Sequence, residues 1–325
     1  MTFRITSTMT HSLFLVLLLL LLQICHPEPS FHIRSGESSL IAGGRDAQPG
    51  EFGHHVGISK ADGSLVWCGG GLISKRWVLT AAHCFDETDT PQNTIVIIGR
   101  LNKDDSSDGR TAKIKRFFKH EAYDPATYMN DIAVVELDED VLEDKSNNTA
   151  YMELEVEELD KGTIVTASGW GLLATTQKQP NVLQTVKLPI VEDDLCRAHG
   201  EFFSEMMICI GKGDGMDTCR GDSGGPVVHK VSADQKRWVS LGIVSFGGPG
   251  CGYPNVRGTY TKVSNYLDWL TDNKVVFYRS TAQKPNVSFF SSIFIYIWLF
   301  VSLFLLCNTV VVVRYCVAQT QIEQL

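Results

Sequence analysis

Residues 217–226 read Asp217-Thr218-Cys219-Arg220-Gly221-Asp222-Ser223-Gly224-Gly225-Pro226. Three glycines and a proline in ten residues cannot continue a helix or an inner strand, so the stretch must form a tight turn. Such a turn presents one hydroxyl, that of Ser223, beside several backbone N–H groups directed at one point. A serine hydroxyl is a weak nucleophile at neutral pH, so a catalytic Ser223 requires a general base and a third group to orient that base. Without them, the string is a glycine-rich surface turn.

The chain around this turn is built of short strands. Between residues 41 and 272, β-branched runs such as Thr94-Ile95-Val96-Ile97-Ile98, Ile132-Ala133-Val134-Val135 and Thr163-Ile164-Val165-Thr166 are cut by Gly, Asn, Asp and Pro. Many short strands separated by turn residues predict an antiparallel sandwich or barrel. One helix is expected, over residues 263–271, where Val263, Tyr266, Leu267 and Leu270 recur at helical spacing. A net charge of −8 argues against a nucleic-acid surface. Residues 136–160 hold eleven carboxylates against one base, Lys145. This stretch reads as a solvated charged surface, with docking of basic partners as the other reading.

Both ends of the chain carry apolar blocks. Leucines between residues 13 and 22, behind Arg4 and His11, have the layout of a secretory signal peptide, placed at 1–25. Residues 289–313 are uncharged and would span roughly 37 Å as a helix, enough to cross a hydrocarbon core of about 30 Å. They are expected to anchor the chain, with a connector at 273–288 and a cytoplasmic tail at 314–325. Ser280, Thr281 and Ala282 also suit a glycolipid attachment signal. Such a signal ends on its apolar run, whereas this chain continues with a polar twelve-residue tail, Arg314 to Leu325, which favours a single-pass helix. The expected location is the cell membrane with the main domain outside, a secretory-organelle membrane being the variant. Six of the nine cysteines lie between these ends: Cys68, Cys84, Cys196, Cys209, Cys219 and Cys251. An even set in a secreted domain implies a disulfide framework, for which fifteen pairings exist.

The base that Ser223 requires is found in Thr80-Ala81-Ala82-His83-Cys84, because an imidazole ordinarily titrates near physiological pH. The orienting carboxylate is Asp131, opening the apolar run 132–135. Taken singly, His83 reads as a structural histidine and Asp131 as a turn residue. In the order His, Asp, Ser, residues 41–272 resemble a chymotrypsin-fold, trypsin-like serine protease of the membrane-anchored type.

The resemblance implies two antiparallel β-barrels with a C-terminal helix, and a serine endopeptidase working without a cofactor. It implies catalytic His83, Asp131 and Ser223, with Ser245 supporting the aspartate. The N–H groups of Gly221 and Ser223 would form the oxyanion hole. Asp217, with Gly247 and Gly258, would make a primary pocket for Arg or Lys, so the expected partners are proteins or peptides carrying those residues before the scissile bond. The implied disulfides are Cys68–Cys84, Cys196–Cys209 and Cys219–Cys251. Another bridge common in such enzymes would fall at Val165 and His229 and is missing.

The resemblance also implies activation by another protease, which removes a propeptide at 26–40 so that the new α-amino group of Ile41 pairs with Asp222. Relatives have Arg or Lys before that bond; here it is Leu40. A protease accepting Leu would cut there directly, or a cut after Arg34 would be followed by trimming of residues 35–40. A chain never cut there would instead be a catalytically silent binding module with the protease fold. Arg220, beside the oxyanion hole, would disfavour basic residues on the leaving side. Arg100 stands where a calcium-binding loop would begin with glutamate, so no metal is expected. Asn147 opens a glycosylation sequon, Asn147-Asn148-Thr149.

Overall fold

The computed structural model describes residues 44–280 apart from Ser64, Asn147, Ala174, Thr175, His199, residues 231–236 and Pro249. The expected signal peptide, the propeptide, Ile41, Asn147, the apolar run 289–313 and the tail 314–325 lie outside the described residues. Of the connector, only residues 273–280 lie within them.

After a short β1 (Arg45–Asp46), six strands close a barrel: β2 (His55–Lys60), β3 (Val66–Leu72), β4 (Trp77–Thr80), β5 (Thr94–Ile98), β6 (Arg110–Lys119) and β7 (Ala133–Leu137). Every pairing is antiparallel, in the order β2-β3-β4-β7-β6-β5. In β6 the exposed Thr111, Lys113 and Lys115 alternate with the buried Ala112 and Ile114, the period of a strand with one face in water. β7 is buried throughout, its one acid Glu136 included, and its other four residues are apolar.

The second half is a sheet of β8 (Glu153–Leu154), β9 (Ile164–Gly169), β10 (Gln184–Pro189), β11 (Met207–Ile210), β12 (Pro226–His229), β13 (Val239–Gly247), β14 (Gly258–Lys262) and β15 (Tyr278–Arg279), joined by β1. A one-turn helix α1 (Asp194–Arg197) precedes β11. The main path runs β1-β10-β9-β12-β13-β14-β11. β11, at one end of this path, also meets the residue that follows β10 through the isolated bridge Ile190–Ile210, flanked by Val191 N–H to Cys209 O and Gly211 N–H to Pro189 O. Of the two antiparallel barrels expected, the first is closed by continuous ladders, and the second half is a nine-stranded sheet with one isolated bridge between the residue after β10 and β11. Pro189, at the end of β10, has no N–H with which to continue a ladder.

The C-terminal helix begins as a 3₁₀ turn, Val263–Tyr266, and becomes α-helical as α2 (Leu267–Asp272). Val263, Tyr266, Leu267 and Leu270 are buried, as their spacing predicts. The domain does not stop there. Val275 is buried and donates its N–H to Leu270 O, and Ser74 Oγ donates to Val276 O at 2.6 Å. β15 runs parallel to β8, with Tyr278 opposite Glu153, and Ser280 N–H reaches Leu154 O. The first eight connector residues thus belong to the folded body. Tyr278 and Arg279 pair with an edge that β8 would otherwise leave open, and so short a strand shows no period of its own. No helix among the described residues is long and apolar enough to cross a membrane.

The acidic stretch finds its bases on other strands. Glu136 pairs with Lys115 and Arg116, Glu139 with Arg110, Asp140 with Lys75 and Arg76, Glu143 with Arg237, and Glu158 with Lys262. Most of these pairs are exposed, so each contributes little to stability.

Because Val275 is buried, Val275→Ala should cost about 2 kcal/mol, lowering the melting temperature by roughly 4–8 °C. A loose linker at this position would leave thermal unfolding within about 0.5 kcal/mol of the parent.

Candidate active site

β4 runs directly into a 3₁₀ turn, Ala82–Cys84, which carries His83 to the seam between the two halves. The turn is held from two sides. Cys84 is bonded to Cys68 of β3, and Trp67 Nε1 donates to Cys84 O at 2.8 Å. Asp131 lies two residues before the start of β7 and is fully buried. His83 N–H donates to Asp131 Oδ1 at 2.9 Å, and His83 Nδ1 lies 2.7 Å from Asp131 Oδ2. A carboxylate only accepts, so Nδ1 carries the proton and Nε2 of the neutral ring is left with its lone pair.

The second half completes the hold on Asp131. Ser245 Oγ, from β13, donates to Asp131 Oδ2, and Thr261 Oγ1, from β14, donates to Asp131 O at 2.8 Å. Asn130, just before it, sits at φ 58°, and its side chain is fixed by Ala122 O and by the Tyr266 hydroxyl.

Ser223 lies in the turn that enters β12. Asp222 N–H donates to Cys219 O, Gly225 N–H to Asp222 O, and Gly224 N–H to Val244 O. Ser223 O accepts from Gly69 N–H at 2.7 Å, which ties the turn to the first barrel. Gly221 sits at φ 96°, in the left-handed region that favours glycine. The N–H groups of Gly221 and Ser223 have no acceptor among the described residues. Ser223 Oγ likewise makes no hydrogen bond among them. His83 and Asp131 are therefore in contact, whereas Ser223 shares a cavity with His83 without being bonded to it. An unbonded hydroxyl turns freely about one bond, and catalytic hydrogen bonds often tighten only when substrate is bound.

That cavity has a volume of about 780 Å³, and its walls include His83, Ser223, Arg220, Asp217, Gly247 and Gly258. Asp217 is 5% exposed and accepts Thr218 N–H at 2.8 Å. Burial, reinforced by the charge of Asp222, pushes its carboxyl up to about 7. The two glycines differ in what they make room for. A Cβ on Gly247 would meet nothing nearer than 3.9 Å, whereas one on Gly258 would come within 2.7 Å of the Tyr260 ring. Gly258 is thus needed at least as much to seat Tyr260 as to keep the cavity open. The Cys219–Cys251 bond joins the serine turn to the cavity's far wall, and Cys196–Cys209 links α1 to β11.

Asp222 points away from the cavity's solvent and is fully buried. It accepts Gly171 N–H and Cys219 N–H, each at 2.8 Å, and no cation pairs with it among the described residues. Burial pushes its carboxyl up to about 6 against the pull of those two bonds. A Cβ on Gly171 would come within 2.4 Å of this carboxylate, so only glycine allows the approach.

One residue of the site escaped the sequence reading. Tyr128, at φ 56°, meets His83 edge-on at 5.6 Å and Phe246 at 5.1 Å, and lines the cavity. It stands in an irregular loop, where no period or motif marks it. Two metal questions also resolve into local chemistry. Cys68, His83 and Cys84 lie close enough to share an ion, but the cysteines are bonded to each other and offer no thiolate. Arg100 turns its guanidinium onto the carbonyls of Asp108 and Lys103, so a side-chain cation occupies the interior of that loop.

A family model described as Trypsin matches residues 41–270. Transmembrane protease serine 11C of Mus musculus is 36% identical over 236 residues, which is 71% of this chain and 53% of that protein. Coagulation factor XII of Cavia porcellus is 32% identical, over 73% of this chain and 41% of its own. Serine protease 56 of Homo sapiens is 32% identical, over 76% and 40%. The chain thus spans about half the length of the curated relatives it matches, or less. With the family model covering most of the chain, and with Ser223, His83 and a buried acid on one cavity wall, the chain belongs to the trypsin family of serine proteases.

Proposed function

We propose that the chain is a serine endopeptidase that hydrolyses peptide bonds after Arg or Lys, tethered to a membrane by residues 289–313. The observation that carries this reading is the single cavity on which His83, held by Asp131, meets Ser223 and the buried Asp217.

In the acylation step, Ser223 Oγ attacks the peptide carbonyl while His83 Nε2 takes its proton. The carbonyl oxygen, now negative, is received by the free N–H groups of Gly221 and Ser223. Collapse of the intermediate breaks the C–N bond, and His83 passes its proton to the leaving amine. Water then repeats the sequence on the acyl-enzyme and frees Ser223. Asp131 stays ionised throughout and stabilises the charged imidazole. Asp217 selects the substrate: a guanidinium or ammonium group supplies the counter-charge its buried carboxylate lacks.

The same reasoning applies to Asp222. A buried carboxylate with two N–H donors and no cation is matched to the α-amino group that a cut before Ile41 would create. An activating protease is therefore part of the proposal, and Leu40 makes self-activation by an Arg/Lys-specific enzyme a poor route.

Three outcomes are expected. A form beginning at Ile41 should give a burst of alcohol from an arginine ester, and Ser223→Ala should lower turnover by a factor on the order of 10⁶. If the parent gives no burst, the chain is the silent binding module instead. Asp217→Ser should cut kcat/KM for Arg substrates by roughly 30- to 5,000-fold while Ser223 still reacts with a small acylating agent, and an unchanged preference for Arg would remove Asp217 from the pocket. Because Asp217 titrates near 7 when the cavity is empty, benzamidine should expel about 0.9 proton per site at pH 6 and about 0.1 at pH 8. Calorimetry in buffers of different ionisation enthalpy measures this, and Asp217→Ser should abolish it.

A further inference from the structure

Three large apolar side chains stand in solvent on one face of the domain: Leu142, 68% exposed, Val276, 61%, and Tyr278, 41%. Single exposed hydrophobic residues are ordinary, but these three are knotted together. Val141 N–H donates to Lys75 O at 2.7 Å, and the adjacent Ser74 donates through Oγ to Val276 O. Tyr151 donates its hydroxyl to Val141 O at 2.6 Å and stacks its ring on Tyr278, 5.9 Å between centroids. Leu142, Val276 and Tyr278 are each within a residue or two of that knot.

Bases surround them. Lys75 and Arg76 share Asp140, and Arg237 pairs with Glu143 while lying 4.7 Å over the Tyr278 ring. Lys274 and Arg279 have no carboxylate partner among the described residues, and Glu153 lies opposite Tyr278 on β8. An apolar centre with a tyrosine and long basic side chains at its edge has the composition of a surface that sits at a lipid headgroup layer.

The chain leaves the domain at this face. Only residues 281–288 separate Ser280 from the apolar run that begins at Phe289, a tether of at most about 29 Å when fully extended. So short a tether keeps the face from which that strand departs within about 29 Å of the bilayer.

We propose that the face formed by Leu142, Val276 and Tyr278 rests on the phospholipid headgroups of the membrane that residues 289–313 enter, with Leu142 and Val276 directed at the acyl boundary. The proposal rests on the anchor reading given above. It assigns the domain a fixed orientation on the membrane, set by β15 and the strap before it, in place of free rotation on a linker.

The test uses the full chain, with Cys307→Ser and Cys316→Ser, carrying a fluorophore on Leu142→Cys, on Val276→Cys or, as a control, on Leu65→Cys. Leu65 is also exposed but lies at the other end of β3 from Ser74. Each chain is reconstituted in phosphatidylcholine vesicles with and without a doxyl-labelled phospholipid. Quenching at 142 and 276 should exceed that at 65 several-fold. A chain retained after alkaline carbonate extraction whose three probes quench alike overturns the lipid-facing surface and leaves the anchor standing. A chain that carbonate washes off overturns both. Probes at 142 and 276 that lipid does not quench, on a chain sedimenting as a dimer in detergent, would give the face to a second copy and overturn the proposal as well.

Discussion

Asp131 brings a carboxylate into the interior and has it satisfied from both halves of the molecule at once. His83 contributes a backbone N–H and a ring N–H from the first barrel, Ser245 adds a hydroxyl from the second sheet, and Thr261 holds the aspartate's own carbonyl. An unpaired buried charge costs several kcal/mol, so the halves cannot slide or separate at this seam without exposing that cost. The imidazole's orientation and tautomer, the packing of β13 and β14 against the barrel, and the shape of the cavity all follow from satisfying this one group.

Three buried aspartates lie around the cavity, and what differs among them is how far their charge is met from within. Asp131 has a full set of donors. Asp222 has two backbone N–H groups and Asp217 one, and both carboxyls are pushed up by burial toward the neutral range. The unmet part of each demand is what the proposed α-amino group of Ile41 and the proposed basic side chain of a substrate would supply.

Elsewhere, ionisable groups are buried for packing. His54 and His55 are both fully enclosed and pushed down to about 3 by burial, with His55 Nδ1 3.0 Å from Ser168 Oγ, so they remain neutral spacers between the halves. His229 lies 2.6 Å from the buried Glu155, a contact between β12 and the chain after β8. Burial raises the Glu155 carboxyl, and the hydrogen bonds from His229 and two backbone N–H groups outweigh it, holding that carboxyl below the usual range.

The elements that were legible in the sequence are those written in local chemistry. Glycines and proline around Ser223 dictate a turn whatever surrounds it, β-branched runs such as 94–98 and 132–135 make strands, and the spacing of Val263, Tyr266, Leu267 and Leu270 makes a helix face. The order of His83, Asp131 and Ser223 identified the family before any coordinate was known. What only the folded molecule decided depends on partners remote in the chain. The bridge between the residue after β10 and β11, the addition of β15 to β8, the capture of the acidic stretch by bases on β6 and elsewhere, and the approach of Tyr128 to His83 each join residues between 20 and 125 positions apart. A hydrogen bond or ring contact has no sequence period when its two halves come from different strands, so such features exist only once the chain has closed on itself.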